Sequence, residues 1–358
     1  MIAAGAPEAV LLATGCAAGP RPHALPADAV RAGSNCRSVM RLLLCLLLCL
    51  LPGLTTSACA RQPHAPQPPR AVWTWEGSSY AMLESPAVAD EALAFLQRKR
   101  IDVVYLYADA FQRRNLIEQQ PQLYRAFIRR AHARGIRVYA LLGSWYLGTE
   151  RYVLPRHQRK AVAMLQRVLD YNAAAAPAER FDGVNYDIEP HLLDEWEDAT
   201  RPRLLRGFLD MTAAMLEARR KSGQTLVIGP AIPFWWDGIA LEWRGVRKPV
   251  SEHVADLTDY IALMDYRNRA EGRDSILSHA QDEMDYASRT GKRVVIGLEF
   301  NSSDPAKLSF HGMSEAAFER EAGKVEAAYR GRPAFDGFVF HHYLGYRRFV
   351  GEALPGAD

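Results

Sequence analysis

Eight short apolar runs, separated by helical patterns, constrain this chain more than any other feature. They are Ala71–Trp75, Val103–Tyr107, Val138–Gly143, Val184–Ile188, Leu226–Ala231, Tyr260–Tyr266, Val294–Leu298 and Phe338–His342. Their ends recur every 32 to 45 residues. Most are rich in β-branched or aromatic residues and lack strict alternation, as strands buried on both faces should. Between them lie amphipathic stripes: Leu123, Phe127, Ile128 and Ala131, with Gly135 as a C-terminal cap; Leu205, Phe208, Leu209, Thr212, Met215 and Leu216; and Phe318, Ala322, Val325 and Tyr329. Eight strand–helix units in this length predict an α/β fold, a (β/α)8 barrel over residues 71–350. A doubly wound open sheet is the competitor, but it would normally stop at five to seven strands. No Gly-x-Gly-x-x-Gly follows the first strand, so dinucleotide binding has no support. Phe-Asp-Gly opens the fourth and eighth runs, and Asp182 and Asp336 read as turn residues on the stability face.

The first seventy residues read as an address. Arg41 precedes a leucine-rich run, Leu42 to Leu51, followed by Pro52-Gly53 and small residues up to Cys59. The run is too short to span a bilayer permanently and has the form of a secretory signal. A start at Met40 makes residues 40–58 the signal and residues 1–39 an over-extended N-terminus. Ser57-Ala58-Cys59 resembles a lipobox, which implies lipid attachment at Cys59; plain cleavage near Ala58 or Ala60 is the alternative. Residues 59–70 carry four prolines after Arg61 and form a tether. The expected location is across the inner membrane, on an outer-membrane lipoprotein facing the periplasm or exterior.

A net charge of +3 over 358 residues rules out bulk-charge nucleic-acid binding. All five cysteines fall in the first 59 residues. A disulfide framework, a thiolate metal site and a cysteine nucleophile are thereby excluded from the barrel. No Gly-x-Ser-x-Gly elbow and no His-x-His spacing occur, so we expect no cofactor and no metal.

In this fold the chemistry gathers at the C-terminal strand ends. Those ends carry Trp75 and Glu76; Tyr107 and Asp109; Ser144 and Trp145; Asp187, Glu189 and His191; Trp235, Trp236 and Asp237; Asp265, Tyr266 and Arg267; Glu299 and Asn301; His341, His342 and Tyr343. Carboxylates and aromatics at one mouth suit a sugar site, because aromatic faces stack on pyranose rings and carboxylates do acid–base work. Asn185, Asp187 and Glu189 alternate along one strand, so they form a polar ladder with Glu189 at the rim. Three such groups on the axis cost free energy unless they bond one another. Like charge on neighbouring Asp187 and Glu189 would raise the pKa of one of them.

The segment Phe181-Asp182-Gly183-Val184-Asn185-Tyr186-Asp187-Ile188-Glu189 resembles the strand-four signature of glycoside hydrolase family 18, Asp-Gly-x-Asp-x-Asp-x-Glu. Asn185 replaces the first inner Asp, while Asp187 and Glu189 match the last two positions. The resemblance implies Glu189 as general acid and Asp187 as the residue orienting a 2-acetamido group, whose carbonyl oxygen attacks the anomeric carbon. Met264-Asp265-Tyr266-Arg267 is similar to the family's Met-x-Tyr-Asp, with Tyr266 matching and Arg267 in place of the closing Asp. His341 stands where the family places a tryptophan floor.

Glu299 ends the seventh run. A Glu after strand four and another after strand seven is also the arrangement of the large clan of two-glutamate retaining glycosidases. Glu299 is thus a candidate nucleophile, or a partner for Arg267 in holding sugar hydroxyls, or half of a structural ion pair. His191 is a candidate for a sugar hydroxyl or for loop support. His341 and His342, on alternating strand positions, should face opposite ways. Trp145, Trp235 and Trp236 are candidate sugar platforms, and Asn185, Arg267, His341 and Tyr343 complete the expected substrate-binding set. The expected protein is a monomeric glycoside hydrolase with Glu189 as acid/base and Asp187, Tyr266 and Glu299 beside it, acting on an envelope or extracellular polysaccharide. A two-glutamate enzyme and a catalytically silent carbohydrate-binding lipoprotein remain as alternatives.

Overall fold

The computed structural model describes residues 67–352, so the segments 1–39 and 40–58, Cys59 and most of the tether lie outside the described residues. The eight apolar runs form eight parallel strands: β1 (Arg70–Thr74), β2 (Val103–Tyr107), β3 (Arg137–Leu142), β4 (Gly183–Tyr186), β5 (Val227–Pro233), β8 (Tyr260–Met264), β9 (Arg293–Glu299) and β10 (Phe335–His341). They close into a barrel in chain order, with β1 pairing β10. A short antiparallel hairpin, β6 (Ala240–Trp243) and β7 (Val246–Pro249), rises from the long loop after β5. Sequence periodicity does not reveal it, because its residues are largely exposed and carry no apolar run.

Two apolar layers hold the barrel. Inside it, Trp73, Tyr105, Tyr139 and Tyr260 pack with smaller residues such as Ala71, Ala231 and Ala262. Bulk on one strand is matched by glycine on its neighbour: a Cβ at Gly183 would lie 2.6 Å from the Tyr139 ring. Each such ring, fully buried, contributes about 2–3 kcal/mol. Outside, the helices lay their predicted stripes on the strands. Pro121–His132 buries Phe127, Ile128 and Ala131 together with Tyr124, while Leu123 stays half-exposed. Arg201–Ser222 and Glu315–Ala328 bury the residues expected of them, with Tyr329 following the second helix.

Aspartates stitch the lower rim. Asp102, Asp182 and Asp259, each immediately before a strand, accept the backbone N–H of Arg70, Val138 and Ile228 at 3.0, 2.7 and 2.8 Å. Asp182 also takes His132 Nε2 at 2.9 Å, and Asp336 pairs with Arg293 at 2.9 Å. Both are structural, as expected of the stability face. Among the described residues no helix is long and apolar enough to cross a membrane.

Candidate active site

The upper ends of β3 and β4 are pressed together by a glycine. Gly143 has φ +97°, and a Cβ there would fall 2.1 Å from the Asp187 carbonyl oxygen. The Asp187 N–H meanwhile donates to Leu142 O at 2.7 Å. Only glycine tolerates both the close approach and the left-handed backbone, and together they set the height of Asp187 at the mouth.

Asp187 is the most perturbed acid there. Burial, then the charges of Glu189 and Glu76, hold its pKa well above the ordinary range. Its Oδ1 has no exposed surface and no hydrogen-bond partner. Glu189, one ladder step higher, lies 3.4 Å from His191 Nε2. Tyr266 joins them from the end of β8: burial, then the charges of Glu299, Asp187 and Glu189, push its phenol well up. Strands four, six and seven of the barrel therefore bring Asp187, Glu189, Tyr266 and Glu299 to one place.

Glu299 is a different kind of carboxylate. Oε1 accepts the backbone N–H groups of Phe300 and Asn301 at 2.8 and 2.7 Å and the Asn301 side-chain amide at 2.7 Å. Oε2 takes His341 Nδ1 at 2.6 Å. Burial works to raise its pKa, but the bonds from His341 and Asn301 prevail and hold it below the usual value. The Trp75 indole, which can only donate, reaches His341 Nε2 at 3.3 Å; Nε2 is then the acceptor and Nδ1 carries the proton. The His341 ring lies 5.6 Å from that of Tyr266.

Several expected site residues stand elsewhere. Arg267 does not meet Glu299; its Nε is bound to Asp274 at 2.6 Å and its Nη1 to Tyr266 O at 2.8 Å. Asn185 is fully buried, with its amide committed to Trp73 Nε1 at 2.8 Å and Gly229 O at 3.0 Å. The lower rung of the ladder thus bonds the barrel wall, not its fellow rungs, and offers a substrate nothing. Tyr343 is buried against Phe95, with its hydroxyl held by Arg347 at 2.8 Å. Trp236 is buried on Phe208. Trp236 and Tyr343 turn inward because the chain just beyond each strand enters a short helix that packs on the barrel, and not an open loop.

Of the remaining aromatics, Trp145 is 79% exposed on the turn after β3. Trp235 is half-buried in an edge-to-face triangle with His191 and Trp196, at centroid distances of 5.5 and 6.0 Å. Strand alternation predicts that His342 faces away from His341, yet the rings lie 5.2 Å apart. The strand stops at His341, so alternation does not extend to its successor. Burial, then the neighbouring His341, pulls His342 down to about 4.

Sequence reasoning left Glu76 without a role. It opens the helix Glu76–Glu84, accepts the Ser144 hydroxyl, and stands near enough to raise the pKa of Asp187. Its position directly after the first strand was the available signal; its meeting with strands three and four was not encoded locally. Among the described residues no group of three or more His, Cys, Asp or Glu is placed to hold a metal ion.

The same barrel recurs among solved structures. The exo-β-1,4-mannosidase Op5Man5 from Opitutaceae bacterium strain TAV5 superposes with a TM-score of 0.50 at 13% identity, over 77% of this chain and 52% of that one. This chain thus spans about half of that enzyme. A β-mannanase from the blue mussel Mytilus edulis gives 0.48 at 12% identity, over 78% and 87% of the two chains. The GH18 chitinase from Cycas revoluta, in complex with (GlcNAc)3, gives 0.44 at 14% identity, over 77% and 95%. The likeness is one of fold. No protein-family model matches the chain, and no curated protein matches it by sequence.

Proposed function

We propose that the barrel mouth hydrolyses glycosidic bonds of a polysaccharide, with Glu189 as general acid/base. The observation that carries this reading is the Asp187–Glu189 pair. Two carboxyls face one mouth, one of them with a raised pKa and a buried oxygen that has no partner. An unpartnered buried acid costs about 1–3 kcal/mol, a cost that a purely structural pair would relieve. Burial and the charges of Glu189 and Glu76 favour the protonated form of Asp187, which can then donate a hydrogen bond beside Glu189.

Glu189 would protonate the departing glycosidic oxygen, and Asp187, one ladder step below it, would hold a polar group of the sugar. The family resemblance makes that group a 2-acetamido substituent, whose carbonyl oxygen attacks the anomeric carbon. Glu299 suits the competing role of nucleophile poorly, since four donors already occupy its two oxygens. It serves better to orient His341, whose ring lies 5.6 Å from that of Tyr266. Residues 40–58 would carry the enzyme across the inner membrane, with Cys59 as its anchor.

The test is release of reducing ends from N-acetylglucosamine, N-acetylgalactosamine and neutral polymers by the wild-type protein and Glu189→Gln in parallel. Cleavage by the wild type alone supports the assignment. Full cleavage by the variant removes Glu189 from the role, and binding without cleavage by both proteins favours the carbohydrate-binding alternative.

A further inference from the structure

We infer that the lower face of the barrel, opposite the mouth, docks on the anionic phospholipid headgroups of a membrane, with its strongest contact beside the point where the chain enters β1. This goes beyond the hydrolase reading and takes from it only the placement of Cys59 at a bilayer.

Charge is divided unevenly between the face and the rest of the barrel. The lower face consists of residues 67–71 and, for each of the other seven strands, the last turn of the preceding helix, the connection and the first two strand residues. These stretches carry seventeen Lys and Arg against seven Asp and Glu. The rest of the described residues carry twenty-two against thirty-one, so the excess belongs to this face and not to the chain. Helix C-termini favour cations within their last turn, which accounts for residues such as Arg98 and Arg129. Lys99, Arg100, Arg134 and Arg137 lie beyond the helices. Nor would a dipole common to every helix leave the stretch before β8 acidic, with Asp256 and Asp259 and no Lys or Arg.

The excess is concentrated where the chain enters. The stretches before β2 and β3 hold three and four cations with Asp102 as their one acid, and that carboxylate is spent on the Arg70 N–H at 3.0 Å. Acids on the helix flanks compensate only in part: Asp90 serves both Arg130 and Arg134, each at 3.0 Å. Exposed Arg100 makes no ion pair among the described residues, and its Nη1 donates to Gln67 Oε1 at 2.8 Å. Gln67, Arg70, Arg100, Asp102 and Arg134 share one open groove here.

A membrane fits this face better than a soluble polyanion because of the chain that precedes Gln67. Eight residue steps separate Gln67 from Cys59, a span of at most about 28 Å. A bilayer holding Cys59 therefore lies within that distance of the groove. One lipid chain alone gives reversible attachment, and a basic face beside it supplies the second attraction that stable anchoring needs. The mouth, at the opposite strand ends, would then open away from the membrane and toward its polymer.

The test uses unlipidated residues 59–358, which keep the whole closed barrel. Sedimentation compares vesicles of phosphatidylcholine alone with vesicles containing about one-third phosphatidylglycerol. The expected result is about tenfold tighter binding to the anionic vesicles at low ionic strength, lost as salt screens it. Arg100→Glu with Arg134→Glu should remove most of that preference. Arg203→Glu with Arg247→Glu, the same change of charge at exposed positions away from the lower face, should retain it. Thermal melts check that both paired variants are folded, and the salt dependence of the wild type stands without them. No preference for anionic vesicles in the wild type, or equal loss in the two paired variants, overturns the inference. Binding to heparin in place of vesicles does so too, and assigns the face to a soluble polyanion. Vesicle binding involves no cleavage, and Glu189→Gln should bind as the wild type does, so the hydrolase reading and this inference can each fail without the other.

Discussion

Glu299 holds the Nδ1–H of His341 at 2.6 Å, and its other oxygen takes three further donors from Phe300 and Asn301. Arg348 extends the chain by donating to Asn301 Oδ1 at 2.9 Å. The last barrel strand thus presents a histidine whose tautomer is set from behind by a buried carboxylate. From the front the Trp75 indole leaves Nε2 as the acceptor. A buried carboxylate held by four donors is well placed to fix the orientation of His341.

Glu299→Gln should therefore lower kcat by about a hundredfold through His341, with the protein still folded. Mass spectrometry after treatment with a fluorosugar should find no glycosyl adduct at Glu299. An adduct there would restore the two-glutamate mechanism.

Glu189→Gln should reduce kcat by about 10³-fold with an unchanged melting temperature. Asp187→Asn removes the acid whose pKa burial and the charges of Glu189 and Glu76 raise, so the pH–rate profile should lose the limb that Asp187 contributes. A profile identical in shape to that of the wild type would remove Asp187 from the chemistry.

Gly143→Ala should be among the most damaging single changes. Its Cβ meets the Asp187 carbonyl at 2.1 Å in a backbone with φ +97°, which costs about 3 kcal/mol or more. Activity should fall beyond what the lost stability explains, because the collision displaces Asp187. Thermal melts and kinetics on the remaining folded fraction separate the two effects.

Glu283, buried on the helix Gln281–Thr290, is pushed from 4.5 to about 9, first by burial and then by Asp237. A raised folded-state value means that the folded protein keeps a proton which the unfolded chain releases. The contribution is fully present below pH 4.5 and is lost as pH rises towards 9, amounting to about 3 kcal/mol by neutral pH. Glu283→Gln should accordingly raise the melting temperature at alkaline pH and leave it nearly unchanged near pH 4. An equal effect at both pH values would count against a buried neutral acid.

Tyr343→Phe should leave catalysis intact and cost about 1 kcal/mol, because it removes only the hydroxyl held by Arg347. Loss of substrate affinity would place Tyr343 back in the sugar site.

The chain's regular spacing made the barrel readable: eight two-faced apolar runs and the helical stripes between them each report burial by local period. The strand-end rule then made Asp187, Glu189, Tyr266, Glu299 and His341 readable as residues of one mouth. Alternation failed at His342, where the strand had already ended, and at Tyr343 and Trp236, where the following turn packed back on the barrel. Asn185 lies on the expected strand face, but its amide is spent on Trp73 and Gly229 O.

What the amino-acid sequence determined by itself was the architecture and the set of polar groups delivered to its upper end. Only the tertiary structure decided who meets whom. Glu299 found His341 and not Arg267, Asn185 found Trp73, and Glu76 joined Asp187 through the turn that carries Ser144. Periodicity is local, and each strand announces its own faces within a few residues. Contacts across the mouth depend on register between neighbouring strands, on close approaches such as that of Gly143, and on loop paths, none of which any single segment carries.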